Sequence, residues 1–365
     1  MRSLTLKVIG RLAAEVREFR RWEALRDPRD LRVYYGMDRL PERSGDVSGG
    51  FVKCLDLAAR FPNSAAKANL LYLVSSALPA RRELLARAAR RAGGKFVLNQ
   101  NGVAYPAWAG PSWREMNGPN AHVHAAADYV VYQSEFCRRC AERFLGPRNG
   151  PAEILYNAVD TGAFSPRAGY DRDDRIPALL VAGSHHEPYR VKNAILALPR
   201  VRRKAEVRMA IAGRLVWSDN AEAETRGWAR EAGVEDAVDF LGPYSQEHAP
   251  DLFRRSDVLV HLKVQDPCPR LVVEAMACGV PVVYSATGGT PELVGEEAGR
   301  GMIGTEDYDE LRPPTPEAAA EAILRVLSDR VALARQARKR AVERFATGDW
   351  TLAHARIFEG LAAGK

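Results

Sequence analysis

The stretch DVLVHLKVQDPCPRLVVEAMACGVPVVYS, residues 257–285, reads as strand, short helix, strand. DVLVHL and VPVVYS are short β-branched runs, and the helix between them is terminated by Gly279 and Pro281. Working outward, ALLVAG, VRMAIAG and VDFLG belong to the same series in the second half of the chain, with helical periodicity between them. A matching series, LRVYYG, NLLYLVSS, KFVLNQ, DYVVYQ and AEILYN, runs through the first half. Strands alternating with helices in this way predict parallel α/β sheets. Between the two series FSPRAGYDRDDRIP, residues 164–177, is rich in proline, glycine and charge and reads as an interdomain linker.

With 365 residues, the chain is long enough for about two domains, each burying its own core. Hydrophobic residues at 46% and charged residues at 27% are globular values, which excludes a mainly disordered chain. No apolar run approaches the roughly 18 residues of a membrane span, and a secretory signal is not evident, so the expected location is cytoplasmic. Net charge of +7 permits anionic partners without identifying one. Five cysteines do not make a disulfide framework, and the Cys137–Cys140 pair lacks the further ligands a zinc site needs. His122 and His124, two apart on a predicted helix, point to different faces.

Three other motifs are set aside. Gly299, Gly301 and Gly304 fit GxGxxG but are followed by TEDYDELRPPTP, not by a helix. Asp171 with Asp173, and Asp307 with Asp309, spell DxD in polar loop sequence, and they read as solvated loops. RVRRK, residues 200–204, lacks interleaved aromatics, so no nucleic-acid partner is expected.

Residues 266–295 carry the chemistry. Backbone N–H groups at the start of the predicted helix, around Leu271 and Val272, can receive phosphate oxygens with help from the helix dipole. Glu274, slightly deeper, is suited to accept hydrogen bonds from the vicinal hydroxyls of a ribose, and Asp266 can do the same for a sugar. The plain alternative for Glu274 is an acid favoured by the helix dipole, worth about 0.3 to 1 kcal/mol.

This stretch resembles the E-x7-E element of retaining, GT-B-fold glycosyltransferases of family 4 (glycosyl transferases group 1), with Asp266 in place of the first glutamate. GGFVKCLDLA (49–58) is similar to the family's N-terminal glycine loop and helix. ADYVVYQSEFCRRC (127–140) and ILYNAVDTGAFSP (154–166) are similar to its next two elements. The resemblance implies an α/β fold with two Rossmann-like domains facing across a cleft. Residues 1–165 would bind acceptor, residues 166–346 would bind nucleotide sugar, and a helix in 347–365 would close back toward the first domain. It also implies roles. Glu274 would bind the donor ribose and Asp266 the transferred sugar, with Leu271, Val272, Gly183, Ser184 and Arg270 completing the donor site. In VAGSHHEPYRVKN (181–193) Ser184 stands where many relatives have arginine, so the cation for the diphosphate falls to Arg190 or Lys192. Asn101 stands where the family often presents a catalytic histidine, and Gly49 and Gly50 would allow close backbone approach to the reacting group.

The implied reaction is glycosyl transfer with retention from a nucleotide-diphosphate sugar to a glycan, lipid-linked or small-molecule hydroxyl, without metal or other cofactor. A nucleotide-sugar epimerase and a non-catalytic sugar-nucleotide-binding or membrane scaffold protein are the alternatives. Residues 4–26 place Val8, Ile9, Leu12, Val16, Phe19 and Leu25 at helical spacing among arginines, and Arg81, Arg82, Arg87, Arg90 and Arg91 lie in the same domain. These surfaces would let the protein rest peripherally on the anionic inner face of a membrane. The opposing reading packs the apolar stripe onto the protein body.

Overall fold

The computed structural model describes residues 16, 18–42, 49–172 and 175–364. The chain divides into two compact units, Met1–Leu155 with Asp349–Lys365, and Tyr156–Gly348.

The first unit is built on five parallel strands, β1 (Val33–Tyr34), β2 (Leu70–Val74), β3 (Lys95–Gln100), β4 (Tyr129–Tyr132) and β5 (Ala152–Ile154), in sequential order across the sheet. β2 is buried along its whole length and β3 after Lys95, as expected of strands covered on both faces. The helix Glu135–Phe144 starts where Ser134 Oγ accepts from Cys137 N at 3.0 Å. Cys137 and Cys140 are buried on that helix, and all five cysteines are free thiols. The helix Thr347–Ala362 brings Trp350, His354 and Phe358 into this unit, where His354 and Phe358 make edge contacts with the buried Tyr72.

The predicted membrane-facing helix lies largely outside the described residues. Of its arginines, Arg20, Arg21 and Arg26 are described; Arg20 and Arg26 are exposed, whereas Arg21 is buried. It pairs with Glu18 and with Asp38 at 2.8 Å, and its guanidinium lies 4.2 Å from the Tyr34 ring centroid. That position is an internal clamp, not part of a solvated face.

The second unit has six parallel strands, β6 (Ala178–Ala182), β7 (Arg208–Ala212), β8 (Val238–Gly242), β9 (Val258–His261), β10 (Val282–Ser285) and β11 (Gly299–Met302), in the order β11-β10-β9-β6-β7-β8. β11, GRGM, was not anticipated, because it has no β-branched residue to announce a strand. Gly299 and Gly301 of the GxGxxG match are strand residues, and the next helix begins only at Pro316. Of the DxD residues, Asp171 pairs with Arg335, Asp173 lies outside the described residues, and Asp307 accepts from the Asp309 and Glu310 backbone.

The segment expected to be a linker is built into the second unit. Phe164 is buried 6.2 Å from the Phe253 ring, while Arg167 and Arg175 reach the buried Asp257 at 3.1 and 2.9 Å. The division of the chain therefore falls at Leu155/Tyr156 and not near residue 165. One aromatic anchor and one buried carboxylate are enough to hold a charge-rich stretch that by composition reads as loose.

Candidate active site

In the second sheet β6 leads to β7 and β8 on one side, while its other neighbour β9 leads to β10 and β11 on the opposite side. Where neighbouring parallel strands send their connections apart, a crevice opens beyond their carboxyl ends, the usual ligand position in open α/β sheets. The pairing that sets Leu179 opposite Val258 brings two loops to this crevice, Gly183–Ser184 after β6 and Leu262–Asp266 after β9.

Gly183 and Gly213 make the first loop possible. Gly213, at φ +104°, lies so close to the β6 loop that a Cβ there would stand 1.9 Å from Gly183 O. Gly183, at φ +117°, leaves its own Cβ position 3.4 Å from Leu271 Cδ2 and 3.7 Å from Arg190 Nη2. Arg190 is buried in the first turn of the helix Tyr189–Arg202; its Nη1 donates to Ser184 O at 2.8 Å and stands 3.7 Å from Glu187 Oε2 as an ion pair. Lys192, about 200° farther round the same helix, is exposed, and its Nζ lies 5.4 Å from the Trp228 ring centroid. The structure thus brings Gly183, Ser184, Arg190 and Leu271 together and turns Lys192 away from them.

The second loop is held by backbone. Gly288, at φ +75°, sits where a Cβ would meet Asp266 O at 2.6 Å, and Gly289 N donates to that same carbonyl at 2.8 Å. Gln265 takes a positive φ of 51°; its N–H donates to Thr287 Oγ1 at 2.9 Å, and its Oε1 accepts from Asp307 N at 2.8 Å. These bonds fix the backbone that presents Asp266. Asp266 is 8% exposed, with Oδ2 at 3.2 Å from both His261 Nε2 and Lys263 Nζ. Burial alone would raise its pKa, but Lys263, His261 and Arg190 together outweigh that and hold it well below the ordinary carboxylate range. Burial pushes the pKa of His261 down, against the pull of Asp266.

Glu274 lies in the middle of the helix Arg270–Ala277, 5% exposed, and its Oε1 accepts from Gln246 Nε2 at 2.7 Å and from Arg270 Nε at 3.0 Å. Both partners are donors to the one oxygen Oε1, which leaves the carboxylate suited to accept from further donors. Val272 departs from expectation. Its N–H is taken by Pro269 O at 3.1 Å, because the helix opens on a tight turn, and its side chain is in the core. His185 is buried between the β6 and β7 ends, with Nε2 3.3 Å from Ala212 O, and burial lowers its pKa to about 3.

In the first unit Gly50 lies in the first turn of the helix Gly49–Ala58, and a Cβ there would stand 2.7 Å from Ser76 Oγ, whereas Gly49 faces open space. Asn101 follows β3; its N–H donates to Ser75 Oγ at 2.8 Å, and its Oδ1 accepts from Lys53 Nζ at 3.4 Å and from Gln133 Nε2. Asn99 Oδ1 accepts from the same Lys53 and Gln133, at 3.4 and 3.1 Å. A buried amide-and-lysine cluster therefore stands at the carboxyl ends of β3 and β4. Lys53, Asn99 and Gln133 here, and His261, Lys263 and Gln246 in the second unit, were not singled out from sequence. For the strand-end residues the available signal was a polar side chain closing an apolar run, as in DVLVHLK, KFVLNQN and DYVVYQ.

Residues 167–344 match the family model of glycosyl transferases group 1. The chain is 27% identical over 164 residues to the D-inositol 3-phosphate glycosyltransferase of Mycolicibacterium smegmatis, covering 42% of this chain and 37% of that protein. It is 28% identical over 256 residues to the glycogen synthase of Mycobacterium tuberculosis, covering 67% of this chain and 58% of that one. It thus spans well under two thirds of these relatives' length. Among solved structures, HepE of Anabaena in complex with UDP superposes with a TM-score of 0.65 at 18% identity, over 85% of this chain and 81% of that one. Sucrose-phosphate synthase from Thermosynechococcus elongatus gives a TM-score of 0.63 at 18% identity, over 86% and 77%. These likenesses show the fold, the α/β GT-B class with two parallel-sheet units that the sequence predicts.

Proposed function

We propose that this chain, which through residues 167–344 belongs to the glycosyl transferases group 1, moves a sugar from a nucleoside-diphosphate sugar to an acceptor hydroxyl with retention at the anomeric carbon. The convergence of Gly183, Ser184, Arg190, Asp266 and Leu271 on the crevice between β6 and β9 carries the reading. Glu274, already surrounded by donors, is suited to accept from ribose hydroxyls, and Asp266 from hydroxyls of the transferred sugar. Arg190 supplies positive charge to the diphosphate. In this reading the acceptor oxygen enters on the face the phosphate leaves, and the phosphate oxygen takes its proton. The protein's contribution is then positioning and charge stabilisation.

The cations in this reading are side chains, so the reaction needs neither metal nor other cofactor. The first unit would take the acceptor, a glycan, lipid-linked or small-molecule hydroxyl, with Asn101 and the Gly49–Gly50 turn among the residues it meets. No helix among the described residues is long and apolar enough to cross a membrane. A cytoplasmic enzyme resting peripherally on anionic lipid through residues 1–26 and the Arg81–Arg91 surface fits a lipid-linked acceptor, and sedimentation with anionic but not neutral vesicles would support it.

The test is mass spectrometry of products from a panel of nucleotide sugars, with and without candidate acceptors, in excess EDTA, with proton NMR of the same products to read anomeric configuration and epimerisation, which leave the mass unchanged. UDP-sugars come first, because HepE was solved with UDP and with UDP-glucose. Acceptor-dependent product of unchanged anomeric configuration in EDTA supports the proposal. Epimerised sugar without acceptor means an epimerase, binding without turnover means a non-catalytic protein, and activity restored only by magnesium or manganese removes the metal-free mechanism.

A further inference from the structure

We propose that Lys263 is a further catalytic residue of the reaction above, a second cation that meets the diphosphate beside Arg190 as it departs; the inference rests on the donor-site reading just given. Three basic side chains border the crevice, each already beside a carboxylate. Arg270 is tied to Glu274 at 3.0 Å. Arg190 is almost fully buried, bonded to Ser184 O and 3.7 Å from Glu187. Lys263 differs, because its side chain keeps 32% of its surface while its Nζ stands 3.2 Å from Asp266 Oδ2. An ammonium has three donors on a flexible stem, so one ion pair leaves others available.

The position of Lys263 follows from the topology. β9 ends at His261, and residues 262–266 form the loop at the switch point, which brings Lys263 beside Asp266 in the crevice where the diphosphate would lie. Buried His261 stands at 3.2 Å from the same Asp266 oxygen. The bond from Gly289 N to Asp266 O keeps the Asp266 backbone in place when Lys263 swings toward a more highly charged partner. Lys192, the other lysine considered for the diphosphate, is on the far flank of its helix beside Trp228.

In the transfer, the bond between the anomeric carbon and the diphosphate oxygen breaks with both electrons going to that oxygen. A bond forms from the acceptor oxygen to the anomeric carbon, and the acceptor proton passes to the departing phosphate. Negative charge grows on the diphosphate, and a lysine beside it lowers the barrier most at that moment.

The experiment measures binding of UDP, GDP and ADP, and of the matching monophosphates, to wild type, Lys263→Met and Lys263→Arg, followed by turnover with the matching nucleotide sugar. Lys263→Met is expected to weaken the nucleoside diphosphate by roughly 10-fold or more, leave the monophosphate within about 2-fold, and lower kcat by about 10²-fold. Lys263→Arg is expected to recover most of both losses. Lys263→Gln carries the same expectation should the methionine variant fail to melt as a folded protein. Diphosphate affinity and kcat within about 2-fold of wild type in the neutral variants, or equal weakening of mono- and diphosphate, overturns the assignment. If wild type binds none of the three diphosphates, the donor-site reading falls and this inference with it.

Discussion

Arg190 and Lys192 stand two residues apart on one helix, yet Arg190 Nη1 lies 2.8 Å from Ser184 O inside the crevice, while Lys192 Nζ lies outside it, 5.4 Å from the Trp228 ring. The two cations, equivalent candidates in sequence, therefore predict different phenotypes. Arg190→Gln is expected to lower kcat by about 10²-fold through lost diphosphate stabilisation. Lys192→Gln should remain within about 2-fold, the ordinary range for an exposed substitution. Steady-state kinetics on both variants decides it, and comparable losses in the two would contradict the placement of the diphosphate.

Glu274 offers a second contrast. Glu274→Ala removes a buried acceptor and leaves Gln246 and Arg270 without their shared partner, so nucleotide affinity should fall by about 2 to 3 kcal/mol. Gln246→Ala removes one donor that orients the carboxylate and should cost about 1 kcal/mol. Calorimetric titration of the nucleoside diphosphate into both proteins measures the order. A Gln246→Ala loss larger than that of Glu274→Ala would mean that Gln246, not the carboxylate, is the principal contact.

Much of this was legible in the chain, and the exceptions share a cause. β3 and β8 coincide with the runs KFVLNQ and VDFLG, because an apolar strand bounded by polar turns states its own limits. β11 did not, since glycine-rich GRGM is a strand only because β10 lies beside it. In the site, Asp266 and Glu274 could be found by spacing along one segment. Gln246, 28 residues away, could not, and neither could the separation of Arg190 from Lys192, which depends on which flank of a helix meets the sheet. Lys263 and His261 close an apolar strand, and their chemistry appears only once the loop after β9 folds back to bring Asp266 against them.

Gly213 and Gly227 make a paired test of the fold beneath the site. A Cβ at Gly213 would stand 1.9 Å from Gly183 O with φ at +104°, so the β6 and β7 loops must separate. Gly213→Ala is expected to cost more than about 3 kcal/mol, from steric overlap and backbone strain together. Gly227 lies in the helix Ala221–Glu231 with nothing within 4 Å of its Cβ position, so Gly227→Ala should stabilise by about 0.4 to 1 kcal/mol. Denaturant unfolding of both variants checks the signs. A neutral Gly213→Ala would mean that the two loops are not packed as described.

His354 predicts a pH dependence of stability in the first unit. Its ring is fully buried; Nδ1–H donates to Trp350 O at 2.9 Å, and Nε2 lies 3.0 Å from Tyr72 OH, so the neutral ring uses both nitrogens. Burial lowers its pKa to about 4, with the Trp350 carbonyl opposing and Lys53 adding to the shift. In the unfolded chain the value returns to about 6.5. Between those two values the unfolded state binds the proton and the folded state does not. The stabilisation is therefore complete above about pH 6.5, shrinks as pH falls, and is gone by about pH 4, amounting to up to about 3 kcal/mol. His124, His185 and His261 are also lowered by burial, so the test is the difference between two proteins and not the slope of one. His354→Gln, which keeps hydrogen-bonding capacity without titrating, should be less stable at pH 7.5 yet lose less stability on acidification to pH 4.5. Urea unfolding at several pH values measures both slopes, and identical slopes for variant and wild type would show that His354 titrates alike in the folded and unfolded states.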